Sequence, residues 1–307
     1  MSDRPYYEKQ VRLLLRCLPE IARQPCFALK GGTAINLFVR DFPRLSVDID
    51  LTYLPLKPRA EALQGIGDGL IAIKHDIEKL VGVSKVQEQR PKEKDGREHK
   101  LQVVGKEAII KIEVNTVLRG AVHAPRRLDL VPSAQEHFQV FVTTSLLSDP
   151  DLYGGKLCAA LDRQHPRDLF DVKLLLEASG ITSEIRRAFV VYLASHNRPM
   201  EELLKPRPPD IHKLYDEQFD GMARVETSLD DLLHVRDKIG TCLRESLDAD
   251  EKRFLLSMKE GSPEWDLLGI EHLDKLPALQ WKLKNNKKMA PSKRSEQVQR
   301  LREVLDL

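Results

Sequence analysis

Apolar and polar residues alternate strictly from residue 44 to residue 53, a pattern that predicts a β-strand with one buried face. Successive side chains of a strand point to opposite faces, so Asp48 and Asp50 project together from the polar face. Two neighbouring carboxylates repel each other unless a cation lies between them. The pair therefore indicates a site for a divalent metal ion, with a solvated strand edge as the structural alternative.

The residues before this strand predict a phosphate-binding turn. Phe27-Ala28-Leu29 is a short apolar run, Lys30-Gly31-Gly32-Thr33 is a glycine turn, and residues 34–40 continue at helical spacing. A glycine turn that opens a helix presents backbone N–H groups to anions, although most such turns only reverse the chain. A phosphate turn followed by paired carboxylates favours a metal-dependent enzyme that acts on a nucleoside triphosphate.

The rest of the first half reads as a mixture of helices and strands. Apolar spacing predicts helices over residues 7–22 and 60–80, and strands over 83–89, 100–104, 108–117 and 138–144. Asp95-Gly96 is a typical hairpin turn between the first two of these strands. In the strand over 108–117, Glu113 lies on the polar face and is the candidate for a third carboxylate beside Asp48 and Asp50.

The second half is predicted to be helical. Asp149-Pro150 marks a boundary and opens a helix on which Lys156 and Arg163 share a face. Pro166 opens the next helix, where Asp168 and Asp171 are neighbours. A salt bridge between the two helices is the structural interpretation of these charges. From Thr182 onward the pattern is helical, with a capping box at Ser228 and a helix end at Gly261.

Composition limits the class of protein. The 307 residues are 41% hydrophobic and 31% charged, which is typical of a globular protein, and no apolar run is long enough for a bilayer. The first residues lack a secretory signal, and the four scattered cysteines predict reduced thiols in the cytoplasm. Net charge is only +2, but residues 282–294 hold six basic residues and no acid, which suits either an RNA contact or a solvated connector.

The motifs resemble those of the polymerase-β-like nucleotidyltransferase superfamily, and within it the AbiEii/AbiGii toxins of type IV toxin–antitoxin pairs, which are related to the MenT toxins. The matching residues are Lys30-Gly31-Gly32-Thr33-Ala34, Asn36-Leu37, the run Arg44-x-Ser46-x-Asp48-x-Asp50-Leu51, Tyr153-Gly154-Gly155-Lys156-Leu157, Arg163 and Arg167-Asp168-Leu169-Phe170-Asp171.

The resemblance implies an α+β fold: a mixed sheet flanked by helices over residues 1–148, and a helical domain over 149–307 that contributes Lys156 and Asp171 to the active-site cleft. It implies Asp48, Asp50 and Glu113 as ligands of Mg²⁺, or alternatively Mn²⁺, although many relatives have Asp where this chain has Glu113. An NTP would be held by Gly31, Gly32, Thr33, Ser46 and Lys156. The implied acceptor is the 3′ end of a tRNA or another RNA, and a cognate antitoxin is the implied protein partner; no membrane partner is expected.

Three alternatives stay open. A small-molecule nucleotidyltransferase of the aminoglycoside type would modify an antibiotic, and a protein nucleotidylyltransferase would label polypeptide. A non-catalytic nucleic-acid-binding module would tolerate the loss of Asp48 and Asp50. The turn lacks the longer glycine loop and Lys-Ser/Thr of P-loop enzymes, which disfavours P-loop phosphoryl transfer.

Overall fold

A computed structural model describes residues 4–89 and 98–307. The predicted hairpin turn at Asp95-Gly96 lies outside these residues. The chain divides into two compact units, the first made of Met1–Ser148 and Gln218–Glu226, the second of Asp149–Glu217 and Thr227–Leu307. No helix in the described ranges combines the length and the apolar character needed to cross a bilayer.

The first unit is built on a mixed sheet whose seven described strands lie in the order β3-β4-β5-β2-β1-β7-β6. The strands are β1 (Phe27–Lys30), β2 (Asp48–Tyr53), β3 (Val83–Gln89), β4 (Glu98–Gly105), β5 (Ile109–Asn115), β6 (Arg126–Asp129) and β7 (Thr143–Leu146). β2 pairs antiparallel with β1 and parallel with β5, and β4 pairs antiparallel with β5. The central strands therefore bring the glycine turn after β1 next to the carboxylates of β2.

Two long helices cover one face of this sheet. The helices of the first unit are α1 (Arg4–Ala22), α2 (Gly31–Ala34), α3 (Arg59–Ile77) and α4 (Pro132–Phe138). α3 packs so closely that a Cβ at Gly65 would lie 2.3 Å from the hydroxyl of Tyr53, and one at Gly69 would lie 2.6 Å from the Phe27 ring. Because Ile49 and Leu51 lie on the same face of β2 as Tyr53, they are fully buried. The apolar half of the alternation is thus the core face.

Three predictions for the first unit need correction. The strand begins at Asp48 and not at residue 44, because the backbone of residues 44 and 45 pairs with residues 222 and 223 instead of with the sheet. The predicted strand over 138–144 is wrong: Phe138 ends α4, Gln139 takes a left-handed conformation, and the strand starts at Thr143. The helix predicted over residues 34–40 begins earlier, at Gly31, because both glycines belong to the short α2, and it continues as a π-helical turn over Ile35–Val39.

The second unit is helical, as predicted. Its helices are α5 (Asp149–Asp162), α6 (Pro166–Ala178), α7 (Ser183–Ser195), α8 (Met200–Leu204), α9 (His212–Gln218), α10 (Leu229–Ser246), α11 (Ala249–Glu260), α12 (Pro277–Lys288) and α13 (Pro291–Val304), with 3₁₀ turns at Trp265–Leu268 and Leu273–Lys275. Ser228 and Asp231 form the expected capping box of α10, and Gly261 ends α11 with a φ of 88°. Residues 282–294 lie mostly in α12 and α13.

Candidate active site

The polar face of β2 carries the two predicted metal ligands. Asp48 and Asp50 are partly exposed, whereas Ile49 between them is fully buried on the other face. Their carboxylates therefore project from the same side of the strand, as the alternation predicts.

The diglycine turn lies in contact with this face. Gly31 has a φ of +74°, and a Cβ built on it would lie 2.5 Å from Oδ2 of Asp50. A Cβ on Gly32 would lie 2.6 Å from Nη2 of Arg44 and 2.9 Å from the Ser46 hydroxyl. Contacts this short exclude a side chain at either position unless its neighbours move. Both glycines are therefore needed to bring the N-terminus of α2 against the carboxylate.

A buried hydrogen-bond network fixes the turn to the start of β2. The Thr33 hydroxyl donates to the main-chain carbonyl of Asp48 at 2.6 Å and lies 3.0 Å from the Ser46 hydroxyl. Thr33 and Ser46 are only 1% and 6% exposed. Their side chains thus position the turn relative to Asp48, and Thr33 presents its backbone N–H in the first turn of α2.

Two residues of the motif acquire roles that the sequence did not assign. Arg44 is 2% exposed, and its Nη1 donates to the carbonyl of Leu45 at 2.9 Å, so its guanidinium is held beside Gly32. The side-chain amide of Asn36 donates to the carbonyl of Gly32 at 2.9 Å. The signal in the sequence was an arginine at the start of the alternating segment. An arginine is rarely buried unless it is paired, so it could have been identified as a residue with specific partners.

Glu113 lies beside Asp50 but has a partner of its own. In the parallel pairing of β2 with β5, Glu113 is the register partner of Asp50. Its carboxylate forms a 2.9 Å salt bridge with Lys100 of β4. Within residues 4–89 and 98–307, no group of three or more His, Cys, Asp or Glu side chains is arranged to hold a metal ion. The three predicted ligands share a face, and Glu113 is turned toward Lys100.

Lys156 and Asp171 belong to the second unit and meet there. The ammonium of Lys156 on α5 lies 2.7 Å from Asp168 and 2.9 Å from Asp171, both on α6. Arg163 adds a 2.6 Å bond to the second oxygen of Asp168. Burial on its own would raise the pKa of the Asp168 carboxyl, but Lys156 and Arg163 outweigh it and hold that pKa well below its usual range. The cluster links α5 and α6 through buried ion pairs.

Comparison with known proteins adds two findings. A family model described as nucleotidyl transferase AbiEii toxin, type IV toxin–antitoxin system, matches residues 12–285. Among solved structures, MenT4, a nucleotidyltransferase toxin from Mycobacterium tuberculosis H37Rv, is similar with a TM-score of 0.63 and 16% identity, covering 93% of this chain and 94% of that one. At this identity the likeness concerns the fold, and it confirms the predicted α+β class. No curated protein matches the sequence.

Proposed function

The chain belongs to the AbiEii family of nucleotidyl transferase toxins of type IV toxin–antitoxin systems, and from this premise we propose that it transfers a nucleoside monophosphate from an NTP to the 3′ end of a tRNA. The observation that carries the proposal is the contact between the diglycine turn and the Asp48–Asp50 face. A helix start, whose backbone N–H groups can bind phosphate, lies beside two carboxylates, and this pair of features supports binding of a metal–triphosphate.

The donor set fits a divalent metal ion. Mg²⁺ is commonly held by one or two carboxylates together with the phosphates of the substrate, so Asp48 and Asp50 suffice as protein ligands. Mn²⁺ accepts the same oxygen ligands. When bound, such an ion supplies charge neutralisation for the transferring phosphoryl group. Because Glu113 is already paired with Lys100, we assign it the role of accepting the proton of the acceptor hydroxyl and not the role of a metal ligand.

The residues of the turn would hold the leaving group. The first N–H groups of a helix have no intrahelical acceptor, so the amides of Gly31, Gly32 and Thr33 are available for the β- and γ-phosphates. The buried Arg44 guanidinium beside Gly32 adds positive charge under the same turn. Both effects favour the negative charge that builds up on departing pyrophosphate.

The reaction itself balances without a covalent enzyme intermediate. The acceptor hydroxyl forms a bond to the α-phosphorus, the bond from that phosphorus to the bridging oxygen breaks, and pyrophosphate leaves. The proton of the hydroxyl passes to the Glu113 carboxylate, which its salt bridge with Lys100 holds on the face of Asp50. The protein's contribution is mainly positioning and charge stabilisation.

Lys156 and Asp171 have a supporting role in this proposal. An ammonium group has three N–H donors, and Asp168 and Asp171 occupy two of those of Lys156. The remaining donor would bind a phosphate oxygen of the NTP, with Asp171 orienting the ammonium. Toxicity would follow from blocked aminoacylation in the cytoplasm, and a cognate antitoxin would neutralise it.

Labelling of RNA tests the proposal. Purified protein is incubated with total bacterial RNA and each α-³²P-labelled NTP in turn, with Mg²⁺, with Mn²⁺ and with EDTA. We expect label in the tRNA fraction only when metal is present. Asp48→Asn and Asp50→Asn should each lower the labelling rate by more than about a hundredfold. Mutation of residues that only support metal ligands already lowers activity 10- to 100-fold.

Asp129→Asn is the matched control, because Asp129 lies on the edge strand β6 of the same unit and is exposed. The control should retain full activity. Label in protein or in a small molecule instead of RNA would identify another acceptor class. Undiminished growth arrest by the folded Asp48→Asn variant would show that catalysis at this face does not cause toxicity.

A further inference from the structure

We propose that Lys111 and Lys100 bind the phosphate backbone of the acceptor nucleic acid, on the side of the sheet face that lies away from the diglycine turn. This inference rests on the proposed function, because it locates the acceptor relative to the NTP. It assigns two cations that the catalytic scheme leaves without a role toward substrate.

The strand order supplies the geometry. Four adjacent strands carry the features in sequence: the diglycine turn follows β1, the paired aspartates lie on β2, Glu113 on β5 and Lys100 on β4. Register places the side chains on one face, since Asp50 pairs with Glu113, Glu113 pairs with Lys100, and Asp48 pairs with Lys111. The diglycine turn contacts the same face at Asp50. The face thus runs from a phosphate turn at one side to two lysines at the other.

The geometry of phosphoryl displacement determines from which side of this face the acceptor approaches. In a displacement at phosphorus, the attacking and leaving oxygens lie roughly in line on opposite sides. If pyrophosphate departs toward the turn after β1 and the α-phosphorus lies over β2, the acceptor hydroxyl must approach from the side of β5. Neighbouring strands are about 4.8 Å apart, so β4 lies about 10 Å beyond β2. The nucleotide that carries the hydroxyl, and its own phosphate, would lie over β5 and β4.

Two lysines occupy this region. Lys111 is exposed, and within the described residues it takes part in no ion pair. The Lys100 side chain is 34% exposed, and its ammonium lies 2.9 Å from the Glu113 carboxylate on the same face. Lys111 lies opposite Gln102, so Lys100 is its diagonal neighbour at about 7–8 Å. Two cations at this separation suit successive phosphates of one strand.

A purely structural explanation makes a different prediction. Each lysine is the register partner of an acid, Lys111 of Asp48 and Lys100 of Glu113, and on this explanation both only offset repulsion between carboxylates. In that case their removal would alter stability or metal affinity and leave the affinity for nucleic acid unchanged. The two explanations therefore differ in which ligand is lost.

Lys111→Gln is the test variant, because it removes one charge from an exposed strand position and keeps a polar, unbranched side chain. Lys74→Gln is the matched control: it removes the same charge from α3, the helix that covers the opposite face. Bulk bacterial tRNA is the probe, with its Kd measured directly at several salt concentrations. NTP affinity and the KM for tRNA in the labelling reaction are measured in parallel.

We expect Lys111→Gln to weaken tRNA binding several-fold and to lower the slope of log K against log salt by about one, because one phosphate contact is lost. NTP affinity should stay unchanged. Lys100→Gln together with Lys111→Gln should lower the slope by about two, and Lys74→Gln should match the wild type in every measurement.

Each outcome separates this inference from the proposed function. A wild-type protein that labels no RNA overturns both. If the wild type labels RNA but Lys111→Gln keeps the wild-type tRNA affinity and salt slope, only the acceptor assignment is wrong. Loss of NTP affinity in Lys111→Gln with unchanged tRNA binding would also overturn it, because the lysine would then serve the donor side.

Discussion

At the scale of single residues, Lys156 shows how a candidate catalytic group can also be part of the buried structure. Lys156 is 6% exposed, and its ammonium lies between Asp168 and Asp171, which are 2% and 1% exposed. Removing one partner of a buried ion pair leaves an uncompensated charge and is strongly destabilising. Loss of activity in a Lys156 variant therefore needs a measurement of stability beside it.

We predict that Lys156→Met lowers the free energy of unfolding by about 3–5 kcal/mol, because two buried carboxylates lose their shared cation. Urea unfolding measures the change. Lys173→Met on α6 is the control: Lys173 pairs with the exposed Glu177, an i,i+4 pair worth less than about 1 kcal/mol. A Lys156→Met protein of wild-type stability that transfers no nucleotide would show that Lys156 serves the reaction alone.

The sequence gives the identity of the acidic groups of the candidate site but not their partners. Period-two alternation places Asp48 and Asp50 on one face because it depends only on local strand geometry. The salt bridge of Glu113 depends on how β4 pairs with β5, and the burial of Arg44 depends on a segment more than 170 residues further along the chain. Such long-range pairing leaves no local pattern, so these contacts could not be predicted.

At the scale of elements, two adjacent glycines on α5 have opposite surroundings. A Cβ on Gly154 would lie 2.7 Å from the backbone nitrogen of Phe189 on α7, whereas one on Gly155 would meet only the Tyr192 ring at 4.0 Å. Gly154 therefore allows the two helices to approach closely, and Gly155 has room for a methyl group.

From this difference we predict that Gly154→Ala destabilises the protein and Gly155→Ala stabilises it by roughly 0.5–1 kcal/mol, since alanine restricts the unfolded chain and favours a helix. Urea midpoints of the two variants are compared with the wild type. Equal changes in both would mean that α5 and α7 do not approach as closely as the structure places them.

The elements predicted correctly are those with long, regular patterns. The helices α1, α3, α5, α6, α10 and α11 follow apolar spacing, proline starts and capping residues, all of which act within a few residues. The prediction of one strand over 138–144 was wrong because its apolar residues belong to different elements. Phe138 is buried at the end of α4, and Val142 is buried in the loop just before β7. A short apolar run does not distinguish a strand from the join between two elements.

At the scale of the whole molecule, the first unit is not continuous in sequence. Gln218–Glu226 returns to it from the helical half, and we call this segment the strap. Its backbone binds the loop before β2: Leu45 donates to the carbonyl of Met222 at 2.9 Å, and Arg224 donates to that of Pro43 at 2.7 Å. The guanidinium of Arg224 also lies 4.5 Å from the centre of the Phe42 ring. The strap thus holds the loop that leads into β2, the strand that carries Asp48 and Asp50, and no sequence pattern marks it.

The last prediction concerns this strap. A fragment that ends at Ser148 loses the partner of the loop before β2, together with the buried side chains of Phe219 and Met222. Burying each such side chain contributes about 1.5–3 kcal/mol, and each backbone hydrogen bond adds about 1 kcal/mol, which together amount to a large part of the stability of an ordinary domain. We therefore expect residues 1–148 alone to unfold at much lower urea concentration than a fusion in which a flexible linker replaces residues 149–217 and the chain ends at Glu226.

A fusion with Phe219→Ser and Met222→Ser is the control and should behave like the short fragment. Equal midpoints for the short fragment and the intact fusion would show that the strap only rests on the first unit and does not stabilise the strand that carries Asp48 and Asp50.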